Sequence, residues 1–334
     1  MRIALTYDDV ALSPNYNPHA SRKDVSLYSK ALNTANPDLS LELSLPVFSA
    51  NMDSITGSDM ATAMYKCGGS GVLHRFCSIE QNVKMFKECV GQPTFVSVGC
   101  GSESIDRASA LYEAGARYFC LDIAHAHSIN VKDTIRPLRN AIKDSFLMAG
   151  NVATYDGTSF LKDLGADLVK VGVGGGSVCT TRITTGFGIP MITSIMECSK
   201  AEIPIVADGG IRYPGDAVKA LAAGASFIMI GGMLAGTEPT PGEVIDGYKI
   251  YRGMASKEAH ESFLGPLPEW RPAEGISTKV RVKFFRETMR QLESGIRSGL
   301  TYAGASNIKE LQEKATFMQI TAAGRVEATP HHGG

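Results

Sequence analysis

The 334-residue sequence has no surplus of charge: 33 lysines and arginines face 34 aspartates and glutamates, a net charge of −1. That balance excludes the broad basic surface that holds nucleic acid or an anionic membrane, so any phosphate must be bound by local contacts. Cys-x-x-Cys pairs and cysteine/histidine metal spacings are also missing. The seven cysteines (67, 77, 89, 100, 120, 179, 198) are an odd, scattered set, which argues against a disulfide framework or a zinc site and for a reducing, cytoplasmic compartment. No stretch reaches the roughly 18 apolar residues of a membrane span, and the opening "MRIALTYDDVALSP" has no signal-like apolar run. A chain neither exported nor anchored is expected.

What is present is a recurring short apolar run. "LPVFSAN" (45–51), "SGVLHRF" (70–76), "FVSVG" (95–99), "YFCLDIA" (118–124), "FLMAGNV" (146–152), "LVKVGVG" (168–174), "IPIVADG" (203–209) and "FIMIGGM" (227–233) make eight candidate strands. Runs apolar on both faces suit buried parallel strands. Amphipathic segments lie between them: "SDMATAMYKCG" opens on a Ser/Asp cap and puts Met60, Ala61, Met64 and Cys67 on one face, while "ESIDRASALYEAGA" and "YPGDAVKALAAGA" end at glycine. Eight β-then-α units predict a (β/α)8 TIM barrel, with a doubly wound sheet as the competing arrangement. The expected organisation is one catalytic domain over 1–334: barrel strands within about 45–233, a mobile flap at about 254–280, and a C-terminal helix and tail over 281–334.

Nearly every run ends in polar residues or glycine, and in a parallel barrel those ends open on the face where active sites are built. The loop after the sixth run, "GGGSVCTTRITTGFG", sets Cys179 among glycines and hydroxyls. A packing thiol is usually buried and inert, whereas glycine lets backbone close on a ligand and hydroxyls manage a leaving group. Cys179 is therefore the candidate nucleophile and Thr181 its proton relay, against the plainer readings of a structural thiol and a loop hydroxyl bonding its own turn. Gly210, Gly231 and Gly232, after the last two runs, join Ser177 as candidate phosphate contacts; Asp208 suits ribose hydroxyls. Glu274 on its own reads as a surface acid. His125 and His127 alternate, so only one faces the mouth. The terminal "HHGG" is weak evidence for metal, and "GVGGGS" does not form a dinucleotide fingerprint.

The motifs "LTYDDVALSP", "SANMDSIT", "LDIAHAHS", "MAGNVAT", "KVGVGGGSVCTTR", "ADGGIRYPGDAVKALAAGA", "IGGMLAG" and "YRGMAS" resemble, in order, the IMP dehydrogenase/GMP reductase family. The resemblance implies a barrel enzyme, usually a homotetramer, in which a loop cysteine attacks purine C2 and a nicotinamide cofactor exchanges hydride there. It implies Cys179 as nucleophile with Thr181. Ser177, Gly210, Gly231, Gly232 and Tyr251 would hold phosphate, Asp208 ribose, and Met52, Gly253, Met254 and Ala255 the rest of the substrate site. Arg75, Asp122, His125, Asn151 and Gly172 would lie on the cofactor side. It also implies a potassium site formed by Gly174, Gly176, Cys179 and a neighbouring subunit's copy of Glu327.

Within the family the flap discriminates. Glu274 follows Met254 by only 20 positions, in "MASKEAHESFLGPLPEWRPAE", without the Arg-Tyr pair that activates water in the dehydrogenase. Its "EWRPAEG" ending resembles the reductase tract that supplies a glutamate, here Glu274. Gly99 to Tyr118 is too short for an inserted pair of CBS modules. The expectation is a GMP reductase using NADPH, with NADH possible. The alternative is an IMP dehydrogenase without CBS modules, oxidising IMP to XMP with NAD; a remote one is an inactive nucleotide-binding relative. Several features depart from the reductase pattern: Arg75 stands where many members have lysine, Ala273 replaces a serine, and "LTYDDV", "DIAHAHS" and the tail "ITAAGRVEATPHH" resemble the dehydrogenase.

Overall fold

Eight parallel strands close into a barrel in the computed structural model, which describes residues 1–34, 36–91 and 93–328. They are β1 (Val47–Ser49), β2 (Ser70–Leu73), β3 (Thr94–Val98), β4 (Tyr118–Asp122), β5 (Phe146–Val152), β6 (Leu168–Val171), β7 (Ile205–Asp208) and β8 (Phe227–Ile230). Each pairs with its sequence neighbour, and β8 returns to β1 through Ile228↔Val47 and Ile230↔Ser49. Every expected run holds one strand, so the barrel displaces the doubly wound alternative. The terminal "HHGG" lies outside the described residues.

The strands differ between their two ends. Phe48, Phe95, Phe146 and Phe227, all fully buried, interlock inside the lower barrel, with ring centroids 5.4 Å apart for Phe48–Phe95, 5.6 Å for Phe48–Phe227 and 5.9 Å for Phe95–Phe146. At the carboxyl ends the inward positions change to Asp122, Asn151, Lys170 and Asp208. Aromatic packing closes one end of the barrel, and a polar floor is left under the other.

The helices α1 (Ser58–Lys66), α2 (Ile79–Glu88), α3 (Ser102–Glu113), α4 (Ile129–Ala141), α5 (Tyr155–Asp163), α6 (Thr181–Thr185), α7 (Met191–Cys198) and α8 (Pro214–Ala222) fill the seven connections between the strands, with the short α6 sharing the β6–β7 connection with α7. Two local expectations need correction. Ser58 begins α1 instead of capping it; Gly57 is the N-cap and makes no side-chain cap bond. Cys67 falls at the C-cap and is exposed, because the helix ends one residue before that position would return to the buried face of Met60, Ala61 and Met64.

After β8 the expected flap has regular structure. β9 (Tyr248–Arg252) pairs antiparallel with β10 (Ser277–Arg281), and α9 (Lys257–Leu264) lies between them. The following helix was expected from residue 281, but α10 spans Phe285–Ala303, since Arg281 is still paired with Tyr248. α11 (Ile308–Lys314) leads to a strand, Thr316–Gln319, that pairs with Val10–Ser13 and brings the tail helix α12 (Ala322–Glu327) to the chain's first turn.

Candidate active site

The Cys179 loop gains order from a segment almost a hundred residues later. Thr180 N–H donates to the Glu274 carbonyl at 3.0 Å and Ile276 N–H to the Val178 carbonyl at 3.0 Å, so Cys179 and Gly275 face each other in a short bridge. Glu274 N–H in turn donates to the Ala255 carbonyl at 2.9 Å. This docking aligns three side chains. The half-buried Cys179 thiol donates to Thr181 Oγ1 at 3.2 Å, and the Thr181 hydroxyl donates to Glu274 Oε2 at 2.7 Å. A thiol thus reaches a carboxylate through one hydroxyl, a geometry that can carry a proton in either direction.

Below the loop, Lys170 stands at the centre of the polar floor. Its ammonium contacts Asp122 Oδ1 at 2.7 Å and Asp208 Oδ2 at 2.9 Å and donates to Asn151 Oδ1. Asn151 Nδ2 donates to Asp208 Oδ2 at 2.9 Å and to the Gly172 carbonyl at 2.7 Å. Burial opposes charge on both partners, but the opposite charges outweigh it: Asp122 is held below the usual carboxylate range and Lys170 above the usual lysine range. Three expected residues, Asp122, Asn151 and Asp208, are therefore locked together by a fourth that the sequence reading passed over. The signal was available: a lysine inside "LVKVGVG", at a position buried on a barrel strand. Gly172 completes the floor at φ +149°, where a Cβ would fall 1.9 Å from the Asp208 carbonyl oxygen, so only glycine fits.

Beside the loop opens a cavity of about 910 Å³, within the size range of small-molecule sites. Met52, Ser177, Asp208, Gly210, Gly231, Gly232 and Tyr251 line it. Tyr251 OH and Ser177 Oγ lie 3.0 Å apart, tying β9 to the cysteine loop, and burial raises the Tyr251 pKa. Tyr7, also on the wall, is buried with a hydroxyl that makes no hydrogen bond among the described residues. Gly253, Met254 and Ala255 do not line this cavity. They edge the flap, where Gly253 N–H donates to the Ile276 carbonyl at 3.0 Å and Met254 Sδ accepts from Asp53 N–H at 3.3 Å.

On the other side of the floor, Arg75 stacks over the Phe76 ring at 4.9 Å and reaches the Asp122 carbonyl at 3.5 Å. Its Nε is buried without a partner among the described residues. His125 is exposed, and His127 packs its ring 4.8 Å from Phe160, so neither histidine joins the cluster. For a monovalent cation, the carbonyls of Gly174 and Cys179 accept no backbone hydrogen bond among the described residues, and that of Gly176 accepts only Cys179 N–H at 3.1 Å. That leaves oxygen lone pairs of the type such an ion uses. Glu327 is exposed at the end of α12.

A family profile described as the IMP dehydrogenase / GMP reductase domain matches residues 4–331. Among curated proteins, an inosine-5′-monophosphate dehydrogenase of Aquifex aeolicus is 49% identical over 251 residues, covering 70% of this chain and 51% of its own length. The chain thus spans about half of that relative. GMP reductase 2 of Homo sapiens is 36% identical over 336 residues, covering 96% of this chain and 95% of its own. Among solved structures, the inosine 5′-monophosphate dehydrogenase of Legionella pneumophila superposes with a TM-score of 0.87 at 53% identity, covering 96% of this chain and all of that one.

Proposed function

The chain belongs to the IMP dehydrogenase / GMP reductase family, and from that membership we propose that it is a GMP reductase, converting GMP to IMP and ammonia with NADPH. The observation that carries this reading is the unbroken Cys179–Thr181–Glu274 chain, closed by a short segment without an Arg-Tyr pair. General-base help to water contributes roughly 10²–10⁴-fold. A flap lacking that help leaves a covalent intermediate waiting for hydride.

The mechanism follows the direction of the hydrogen bonds. Glu274 takes the thiol proton through the Thr181 hydroxyl, and the Cys179 thiolate adds to C2 of GMP. The same path returns the proton to the 2-amino group, which leaves as ammonia while Cys179 stays bonded to C2. When bound, a reduced nicotinamide would supply the hydride that C2 then needs; with hydrogen on C2, breaking of the Cys179 C–S bond would release IMP and restore the thiolate. Ser177, Gly210, Gly231, Gly232 and Tyr251 hold the phosphate and Asp208 the ribose, with Met52, Gly253, Met254 and Ala255 around the base. Arg75, Asp122, Asn151 and Gly172 would border the nicotinamide; His125 stands farther out on that side. Potassium on the carbonyls of Gly174, Gly176 and Cys179, with Glu327 of a neighbouring subunit in a homotetramer, would fix the loop's shape.

The second reading, an IMP dehydrogenase, draws on the higher identities, 49% and 53%, to proteins of that name and on the tail "ITAAGRVEATPHH". The test follows reduced-nicotinamide absorbance in two mixtures, GMP with NADPH and IMP with NAD, both containing potassium. A fall in the first, with ammonia released and the signal lost in Cys179→Ala, supports the reductase. A rise in the second alone replaces it with the dehydrogenase.

A further inference from the structure

Around the β8–β9 connection lie two lysines in opposite situations. Lys249, buried on β9, is fully engaged: its ammonium donates to the carbonyls of Thr237 at 3.2 Å, Glu238 at 3.0 Å and Thr240 at 2.6 Å, and to Thr240 Oγ1 at 3.2 Å. Lys283 is not. It follows β10, with its N–H donating to the Gly236 carbonyl at 3.0 Å and its backbone bridged to Thr237. Those bonds aim the side chain back over the Gly231–Gly232 turn, and it lines the same cavity as Ser177 and Tyr251. Its ammonium has one long contact, 3.5 Å to the Gly232 carbonyl, and no ion pair among the described residues. The nearby Glu238 carboxylate instead accepts Phe285 N–H at 2.6 Å.

The cavity's other cations are engaged or placed elsewhere. Arg212 is bound to Asp8 and Asp216, Arg325 to Asp8, and Arg182 donates to the Ile189 carbonyl at 2.9 Å while its stem packs beside Gly174 and Gly188. Backbone N–H groups and the Ser177 and Tyr251 hydroxyls are neutral donors, and a phosphate dianion held by them alone keeps its full charge. A cation without a carboxylate, next to that turn, supplies the missing countercharge. Resting on the nucleotide-site reading above, we propose that Lys283 is the charged contact to the substrate's 5′-phosphate and makes this pocket select a nucleoside 5′-monophosphate over the free nucleoside.

Equilibrium titrations of the full chain with GMP, IMP, guanosine and inosine test this without turnover. Lys283→Met should weaken both nucleotides by roughly 10- to 100-fold, the range of one hydrogen bond to a charged group, and leave the nucleosides unchanged. Lys283→Arg should recover most of the loss, which a folding defect would not allow. Equal losses for nucleotide and nucleoside, or no loss, overturn the role of Lys283. So does a wild-type protein that binds nucleotide and nucleoside alike. A wild-type protein that binds GMP and IMP but turns over neither defeats the proposed reaction, while a phosphate-selective loss in Lys283→Met still upholds the lysine.

Discussion

Replacing Lys170 with methionine, which keeps the length of the stem and removes the charge, should leave Asp122 and Asp208 facing each other without a counterion. Breaking a buried ion pair costs roughly 3–5 kcal/mol. The lower end applies, because the two carboxylate side chains keep 21% and 20% of their exposure while Lys170 keeps 3%. The unfolding entropy of a 334-residue chain is about 0.7 kcal/mol/K, so about 3 kcal/mol lowers the melting midpoint by about 4 °C. The pH dependence is the sharper test. In the wild type, Asp122 has a depressed folded pKa, so its stabilisation is complete above the unfolded carboxylate pKa and fades as pH falls through the folded one. In the variant the buried Asp122 carboxylate loses the lysine that held its pKa down, its folded pKa rises, and protonation relieves the penalty as pH falls. The melting gap between the two proteins, measured by circular dichroism, should therefore narrow from about pH 8 to about pH 5. A constant or widening gap refutes the idea that Lys170 is the counterion of this floor. Adding Asp122→Asn and Asp208→Asn to the variant should close the gap at every pH.

Three further outcomes follow from the same geometry. Glu274→Gln keeps an acceptor for the Thr181 hydroxyl but cannot take its proton, so kcat should fall by roughly 10²–10⁴-fold with nucleotide affinity retained; an unchanged kcat in steady-state assays removes Glu274 from the proton path. Gly172→Ala places a Cβ 1.9 Å from a backbone oxygen at φ +149°, and the urea midpoint should report a loss above about 3 kcal/mol. Exchanging potassium for tetramethylammonium should slow turnover, and a rate that stays the same eliminates the carbonyl-bound ion.

Much of the barrel was legible because each strand is a short apolar run ending in polar residues, a pattern that a parallel closed sheet imposes on every strand alike. The runs at 45–51 and 227–233 are far apart in sequence yet pair through Val47 and Ile228, a closure that only the count of eight implied. Cys179 and Thr181 were legible from their loop. Glu274 entered through family resemblance, since its pairing with Thr181 is a contact across 93 positions with no local trace. Lys170 was missed for a related reason. A lysine inside an apolar run reads as an interruption until barrel closure brings to it Asp208 from the neighbouring strand β7 and Asp122 from β4, two strands away. The start of α10 differs because strand pairing at Arg281 holds the chain extended, and that of α1 because Ser58 enters the helix and Gly57 takes the cap without a side-chain bond.

The two backbone bonds that dock residues 274–276 on the cysteine loop are the same bonds that bring the Glu274 carboxylate to Thr181. Among the described residues no other hydrogen-bonded path joins the thiol to an acid. Lifting that segment would leave Cys179 on its own loop, still able to meet an electrophile but cut off from the group that removes or returns its proton. In the proposed mechanism, attachment and proton delivery are thus separable, and the pairing of a few peptide groups is the contact between them. Whatever competes for those peptide groups would interrupt the proposed proton path while leaving the Cys179 thiol in place.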